Sequence, residues 1–128
     1  MPKKDLEIGL KDGKFHPCPE YPNCVSSQST DEMHQIDPIK YTTSKEEAMD
    51  KITNIIKNSK RTKIVTQEDD YIHAVFRTAL LRFVDDVEFY FDDNEKTIHF
   101  KSASRVGRND WGVNRKRMEK IREQFLNA

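Results

Sequence analysis

The residues with the clearest capacity for chemistry lie in one stretch, Ser102–Arg117, which reads SASRVGRNDWGVNRKR. This stretch holds two of the four glycines, the only Trp and five basic residues. Backbone N–H groups at a helix start and guanidinium groups both bind phosphate or carboxylate, so the pattern indicates an anion-binding corner. A solvated basic helix end explains the same pattern, and the chain contains no P-loop sequence. The arginines concerned are Arg105, Arg108, Arg115 and Arg117.

Acidic residues in the second half of the chain are another candidate for chemistry. Asp85, Asp86 and Glu88 could supply a general acid and a general base. Adjacent residues of a strand point to opposite faces, so Asp85 and Asp86 cannot act on one group, which disfavours a two-carboxylate hydrolase. A metal site on Asp86 and Glu88 competes with the basic residues predicted beside them. We predict neither a metal ion nor a cofactor.

Two cysteines, Cys18 and Cys24, lie in a proline-rich segment with His16 and His34 nearby. A disulfide, a pair of free thiols and a zinc site are all compatible with this spacing. The gap of five residues suits a disulfide loop and exceeds the two to four of a usual zinc knuckle. A disulfide requires an oxidising compartment. A nucleophilic cysteine is disfavoured, because the sequence places no base beside either thiol.

Composition restricts the partners and the location. The chain has 128 residues with 35% hydrophobic and 34% charged content, and its net charge is zero. Zero net charge disfavours a general nucleic-acid binder, which depends on a basic excess. The sequence has no apolar run of membrane-spanning length. It also shows no signal segment, which predicts a cytoplasmic protein, or an extracytoplasmic one if the natural chain begins earlier.

Residue patterns predict a flexible N-terminal arm over residues 1–14 and a single domain over residues 15–128. Ser44-Lys45-Glu46-Glu47 is a capping box, and the apolar residues after it predict a helix over 44–58. A short edge strand is predicted at Pro38–Tyr41, and a second amphipathic helix at 111–126.

From Thr62 the apolar period becomes two, which predicts four antiparallel strands that share one apolar face. The predicted fold is therefore α+β: a four- to five-stranded antiparallel sheet with two helices packed on one face, in the order (β)αββββα. The four central strands are KIVTQ (63–67), YIHAVFR (71–77), FVDDVEFYF (83–91) and TIHFKSAS (97–104).

A turn at Asp93-Asn94 sets the register of the last two strands. The assumed pairing of Phe76 with Val87 places Arg77 opposite Asp86. With Glu88–Lys101, this predicts opposed charges on a solvent-exposed face. The pairs predicted from the turn are Phe91–Ile98, Tyr90–His99, Phe89–Phe100, Glu88–Lys101, Val87–Ser102 and Asp85–Ser104.

The same register places Asp85, Ser102 and Ser104 at the end of the apolar face, near Asn114 of the last helix. A buried polar group without a partner costs about 1–3 kcal/mol, so these four residues must satisfy one another or a ligand. A structural clasp between helix and sheet and a binding site are both compatible with this grouping.

Three motifs spread over residues 17–125 resemble the domain-of-unknown-function 1499 family: CPEYPNCVSSQ, FRTALLRFVDDVEFYFD and HFKSASRVGRNDWGVNRKRMEKIR. The resemblance implies a family without an established activity, many of whose members look exported or tethered to a membrane. Matching positions are Cys18, Pro19, Pro22, Asn23, Cys24, Ser26, Ser27, Arg77, Phe83, Asp85, Asp86, Glu88, Ser102, Ser104, Arg105, Gly107, Asp110, Gly112, Asn114 and Arg115.

These observations favour a non-enzymatic binding domain for a small anionic or polar ligand, or for an acidic partner segment, at the strand-to-helix corner. One alternative is an enzyme that uses Asp85 or Asp110 as a base and Arg105 as an electrostatic stabiliser. Another is a protein-interaction module on the open sheet face, formed by His73, Val75, Tyr90 and His99. The predicted ligand-binding residues are Arg77, Arg82, Asp85, Ser102, Ser104, Arg105, Asp110, Asn114 and Arg115.

Overall fold

The structure, a computed structural model, describes residues 8–80 and 82–128. Within them, β1 and β2 pair as a small hairpin, and the remaining strands form a six-stranded antiparallel sheet. The α+β class and the predicted order of the main elements are confirmed. The elements are β1 (Leu10–Lys11), β2 (Lys14–Phe15), β3 (Cys24–Ser26), β4 (Ile39–Lys40), α1 (Lys45–Lys57), β5 (Thr62–Gln67), β6 (Tyr71–Arg77), β7 (Val84–Asp92), β8 (Thr97–Ser104) and α2 (Val113–Leu126).

Both helices pack on one face of the sheet, as predicted. Ser44 caps α1, because its hydroxyl accepts a hydrogen bond from the Glu47 amide at 3.1 Å. The helices bury their apolar stripes against the alternating apolar residues of β6, β7 and β8. The buried core includes Ala48, Met49, Ile52, Ile56, Ile72, Ala74, Phe76, Val87, Phe89, Phe91, Ile98, Phe100, Met118, Ile121 and Phe125.

The sheet order is β3-β8-β7-β6-β5, and β4 also pairs with β8. Strand β3 was not predicted, because its segment has no alternating pattern. All of the predicted pairs between β7 and β8 are present. The predicted pairing of β6 with β7 is wrong by two residues: Phe76 lies opposite Asp85, and Arg77 lies opposite Val84 rather than Asp86. A slip of two residues keeps every side chain on its face, so the apolar alternation could not detect it.

The second face of the sheet is covered, so the predicted solvent-exposed charge ladder is wrong. Asp86, Glu88 and Lys101 are all buried. The segment that begins at Gly9 lies over them: the Gly9 amide donates to Glu88 Oε1 at 2.8 Å, and Lys101 Nζ donates to the His16 carbonyl at 2.8 Å. We call this covered side of the sheet the hairpin face.

Residues 1–7 of the predicted flexible arm lie outside the described residues, whereas residues 10–15 form the β1–β2 hairpin. Gln28 holds this hairpin, because its side chain accepts from the Phe15 amide and donates to the Gly13 carbonyl. The predicted open interaction surface is therefore absent from the described part of the chain. His73 and Val75 are buried, and Tyr90 and His99 are half-buried.

Candidate functional site

The cysteine segment is a disulfide loop that leads into β3. Cys18 and Cys24 are bonded, with their Cα atoms 5.8 Å apart. His34 is not free for a metal, because its ring nitrogens contact Asp31 Oδ2 at 2.7 Å and the Tyr21 carbonyl at 2.9 Å. Of the three alternatives open at the level of the sequence, the structure therefore contains the disulfide.

Asn114 is the centre of the polar clasp that joins α2 to the sheet, and its exposed fraction is 0%. Its amide nitrogen donates to Ser104 Oγ at 2.9 Å and to Asp110 Oδ2 at 2.8 Å. Its carbonyl oxygen accepts from the Ser102 hydroxyl and, at 2.8 Å, from Arg117 NH1. The predicted contact of Asn114 with both serines is therefore present, and it orients the first turn of α2.

The clasp hypothesis predicted that Ser102 or Ser104 donates a hydrogen bond to Asp85. Neither serine does. One carboxylate oxygen, Oδ2, accepts from Arg117 NH2 at 2.7 Å. The other oxygen, Oδ1, has no hydrogen-bond partner among the described residues, although only 1% of Asp85 is exposed. Arg117 was assigned to the basic helix end, but it points inward and links Asp85 to Asn114.

Asp110 occupies the N-terminus of α2. Its carboxylate accepts from the Gly112 amide at 2.8 Å and from the Asn114 amide at 3.1 Å. Gly112 precedes the helix with a φ of 83°, a left-handed conformation that favours glycine. Two of the backbone amides expected to bind an external anion, those of Gly112 and Asn114, therefore already bind a carboxylate of the chain itself.

Three of the four predicted ligand-binding arginines, Arg77, Arg82 and Arg105, line one depression, and Arg115 lies apart from them. Arg105 contacts Asp86 on the hairpin face, with Nε–Oδ2 and NH2–Oδ1 distances of 2.8 and 3.0 Å. The hydrogen bonds to Asp86 raise the pKa of Arg105 above its ordinary value. Arg115 donates to backbone carbonyls at Gln35 and Met33.

A cavity of about 570 Å³, which we call the corner pocket, opens where β8 leads to α2. Trp111 forms part of its wall, is 82% exposed and has a φ of 56°, which is unusual for a bulky residue. The lining residues are Thr78, Leu80, Phe83, Asp85, Ser104, Val106, Gly107, Asn109, Asp110, Trp111 and Val113. The pocket thus combines apolar walls with the buried carboxylate of Asp85.

A second depression, of about 670 Å³, contains Arg77 and Arg82 and is strongly basic. We call it the basic groove. Its basic residues are Lys57, Arg61, Lys63, Arg77, Arg82 and Arg105, and no acid from the described part of the chain lines it.

Several residues of both depressions were not predicted from the sequence. The basic run KNSKRTK at 57–63 contains the basic residues of the groove that were overlooked, and its charge density was the available signal. For the corner pocket, the signal was the apolar content of two loops, TALLRF and VGRNDW, where no strand or helix needs apolar side chains.

Fold and site together define a class: a helix-backed antiparallel sheet domain with a disulfide loop, a polar clasp under α2 and an apolar pocket above it. The chain belongs to the DUF1499 family, described as proteins of unknown function, whose model matches residues 14–125. No curated protein matches the chain, and no solved structure does. In the described part of the chain, neither helix is long and apolar enough to cross a membrane.

Proposed function

We propose that this domain binds a small molecule in the corner pocket, and that the ligand has an apolar body and a hydrogen-bond donor or cationic group. The observation that carries the proposal is Asp85 Oδ1, a buried carboxylate oxygen without a partner among the described residues. Leaving such an acceptor unpaired costs about 1–3 kcal/mol, and more for a charged group. A donor on the ligand would remove this cost.

The pocket walls support an apolar body for the ligand. Five large apolar side chains line the pocket, and all of them are exposed. Exposed apolar residues are common singly, whereas a cluster around a cavity of this size is typical of a ligand site. The five side chains are Leu80, Phe83, Val106, Trp111 and Val113.

An acidic floor distinguishes this proposal from the anionic ligand that the sequence favoured. An anion in the corner pocket would meet the carboxylates of Asp85 and Asp110, and like charges at short range repel strongly. Of the predicted ligand-binding residues, Asp85, Ser104 and Asp110 line this pocket. Ser102 and Asn114 support it from below through Arg117.

The enzyme alternative has less support. Asp110 uses both carboxylate oxygens to cap α2, so it is not free to act as a base. Arg105 does not line the corner pocket and is bonded to Asp86, so it is not placed to stabilise charge there. Only Asp85 retains a free oxygen, which suits recognition of a donor.

The test is a titration of the protein with three probes of similar size: 2-phenylethylamine, 2-phenylethanol and 3-phenylpropanoate. Backbone amide NMR shifts report both affinity and location. We expect saturable shifts around Trp111 and Phe83 with the amine, and at least tenfold weaker binding of the carboxylate, because Asp85 attracts a donor and repels an anion.

The variant Asp85→Asn retains the size of the side chain but presents an amide in place of the carboxylate. We expect it to bind the amine at least tenfold more weakly, whereas Asp69→Asn, in an exposed loop, should bind like the original protein. Equal affinity for amine and carboxylate, or an Asp85→Asn variant that binds the amine unchanged, would contradict the proposal.

A further inference from the structure

Three depressions meet at one end of the sheet and form a continuous surface. A third cleft lies between the corner pocket and the basic groove. It shares Thr78 and Val113 with the corner pocket, and Arg61 and Arg77 with the basic groove. We call this combined surface the loop end.

Basic side chains are concentrated at the loop end, although 22 basic and 22 acidic residues balance over the whole chain. Among the described residues, no acid lines the basic groove or the third cleft. Seven exposed basic residues there have no side-chain hydrogen bond or ion pair with another described residue. They are Lys57, Lys60, Arg61, Lys63, Arg77, Arg82 and Lys120. This region can therefore attract an anionic partner while the protein as a whole is neutral.

Apolar side chains project from the same end. Leu80 is 88% exposed, and Phe83, Val106 and Trp111 are also exposed. The backbone of Trp111 is held in the left-handed region, and its amide donates to Asn109 Oδ1 at 2.8 Å. Residues held in this backbone region cluster at functional sites, and here the conformation keeps the one Trp of the chain in solvent.

We propose that the loop end docks on the surface of an anionic lipid bilayer. The exposed apolar side chains would enter the boundary between headgroups and acyl chains, where Trp is favoured. The basic residues around them would contact lipid phosphates. Apolar tips beside a basic field match this partner, whereas a nucleic acid or an acidic peptide would use the charges and leave Leu80 and Trp111 in water.

Docking on a bilayer goes beyond the proposed function and does not depend on it. The ligand proposal rests on the unpaired oxygen of Asp85 inside the corner pocket. The docking proposal rests on exposed side chains at its rim and on the adjacent cations. The apolar side chains alone or the basic side chains alone would bind a bilayer weakly, whereas the two sets together give stable binding.

The experiment uses vesicles of phosphatidylcholine with or without about 30% phosphatidylglycerol, an anionic lipid whose surface potential attracts basic side chains. Trp111 is the only Trp, so its emission reports on the docking surface alone. We expect co-flotation with the anionic vesicles and a blue shift of the emission, at least tenfold weaker binding to neutral vesicles, and loss of binding at about 0.5 M salt.

Two double variants separate the contributions. We expect each double variant to weaken binding to anionic vesicles at least tenfold. The first combines Lys63→Glu with Arg82→Glu and removes charge, and the second combines Leu80→Ser with Val106→Ser and removes apolar side chains. The matched controls change exposed residues outside the three depressions, and their binding to anionic vesicles should stay within twofold of the original protein. They are Lys11→Glu with Lys14→Glu for charge, and Leu126→Ser for the apolar contribution.

Absence of binding to anionic vesicles, equal losses in variants and controls, or flotation without a change in Trp111 emission would overturn the docking proposal. Asp85→Asn keeps the two proposals distinguishable. It should lose the amine probe and still bind anionic vesicles within twofold of the original protein.

Discussion

The two faces of the sheet both bury acids of strand β7, but they surround those acids differently. On the hairpin face, Asp86 contacts His73 at 2.8 Å and both of its oxygens accept from Arg105. Glu88 there accepts from Tyr71 Oη at 2.7 Å and from a backbone amide. On the face that packs against the helices, Asp85 has one oxygen that accepts from Arg117 and one oxygen without a hydrogen-bond partner among the described residues. The acids of the hairpin face are hydrogen-bonded within the fold and have a structural role. On the opposite face, Asp85 keeps one oxygen that can still accept a hydrogen bond.

The pKa of Asp86 reflects this closure. Burial alone would raise it, but hydrogen bonds from His73 and Arg105, together with the guanidinium charge, outweigh burial and hold the pKa of Asp86 below its ordinary value. Burial and the hydrogen bond to Glu88 raise the pKa of Tyr71, so its hydroxyl remains a donor throughout the physiological range. At neutral pH, Asp86 is therefore ionised and Tyr71 is protonated.

The largest effect is expected from breaking the closed face with Asp86→Ala. Removal of this carboxylate leaves Arg105 and the buried His73 without their partner, and loss of one member of such a pair costs about 3–5 kcal/mol. Urea unfolding would measure the change in the free energy of unfolding, with Asp69→Ala as a surface control. A loss of under about 1 kcal/mol would show that the hairpin face does not depend on this network.

The pH dependence of that variant follows from the lowered pKa of Asp86. A carboxyl with a lowered folded-state pKa stabilises the protein above its unfolded value, near 4, and this stabilisation is lost as the pH falls through the folded value. The difference between the original protein and Asp86→Ala should therefore be complete at pH 7 and should narrow below about pH 4.

A smaller loss, about 1–2 kcal/mol, is expected for Asp85→Ala. Arg117 loses its ion-pair partner but retains Asn114 and Ser102 as acceptors, and the variant also removes a buried oxygen that had no partner among the described residues. The same urea unfolding measurement applies. If Asp85→Ala costs as much as Asp86→Ala, the distinction between a closed face and an open one is wrong.

The smallest effect concerns His99, which borders the hairpin face and contacts Ser27 Oγ at 3.1 Å. Burial lowers the pKa of His99, so the unfolded chain binds its proton first as the pH falls below about 6.5. Stability should therefore decline from that pH toward the folded value, and His99→Gln should remove this part of the slope. Measurements at pH 8, where the His99 ring is neutral in both the folded and the unfolded state, give the baseline. An unchanged slope in the variant would mean that His99 is open to solvent.

Local signals were sufficient for much of the fold. The capping box located α1, and the turn at Asp93-Asn94 fixed every predicted pair between β7 and β8. The β6–β7 register had no such marker, because the residues from Thr78 to Phe83 carry no short turn motif. This loop is closed by a hydrogen bond from the Phe83 amide to the Thr78 hydroxyl and by another from the Thr78 amide to the Phe83 carbonyl. A pattern of apolar residues does not predict such bonds.

The hairpin face was predicted to be exposed to solvent because the segment that covers it contacts the buried charges through backbone groups. The amide of Gly9 and the carbonyl of His16 satisfy the buried charges, and main-chain groups leave no mark in a sequence. For the candidate site, the predicted register placed Ser104 near Asn114, and these two side chains are hydrogen-bonded, but the arginines were counted without their partners. Arg117 lies three residues after Asn114, on the same helix face, and that spacing was the signal that linked it to Asp85.

The hairpin that covers the sheet also has a consequence for how the chain acquires its structure. Strands β5 to β8 follow one another through short loops, so their pairing is local and can form early. The bonds from Gly9 to Glu88 and from Lys101 to His16 span 79 and 85 residues, and they cannot exist before the sheet does. During synthesis, Gly9 and His16 are made before Glu88 and Lys101, so the hairpin segment must wait until β7 and β8 exist before it can bind its partners.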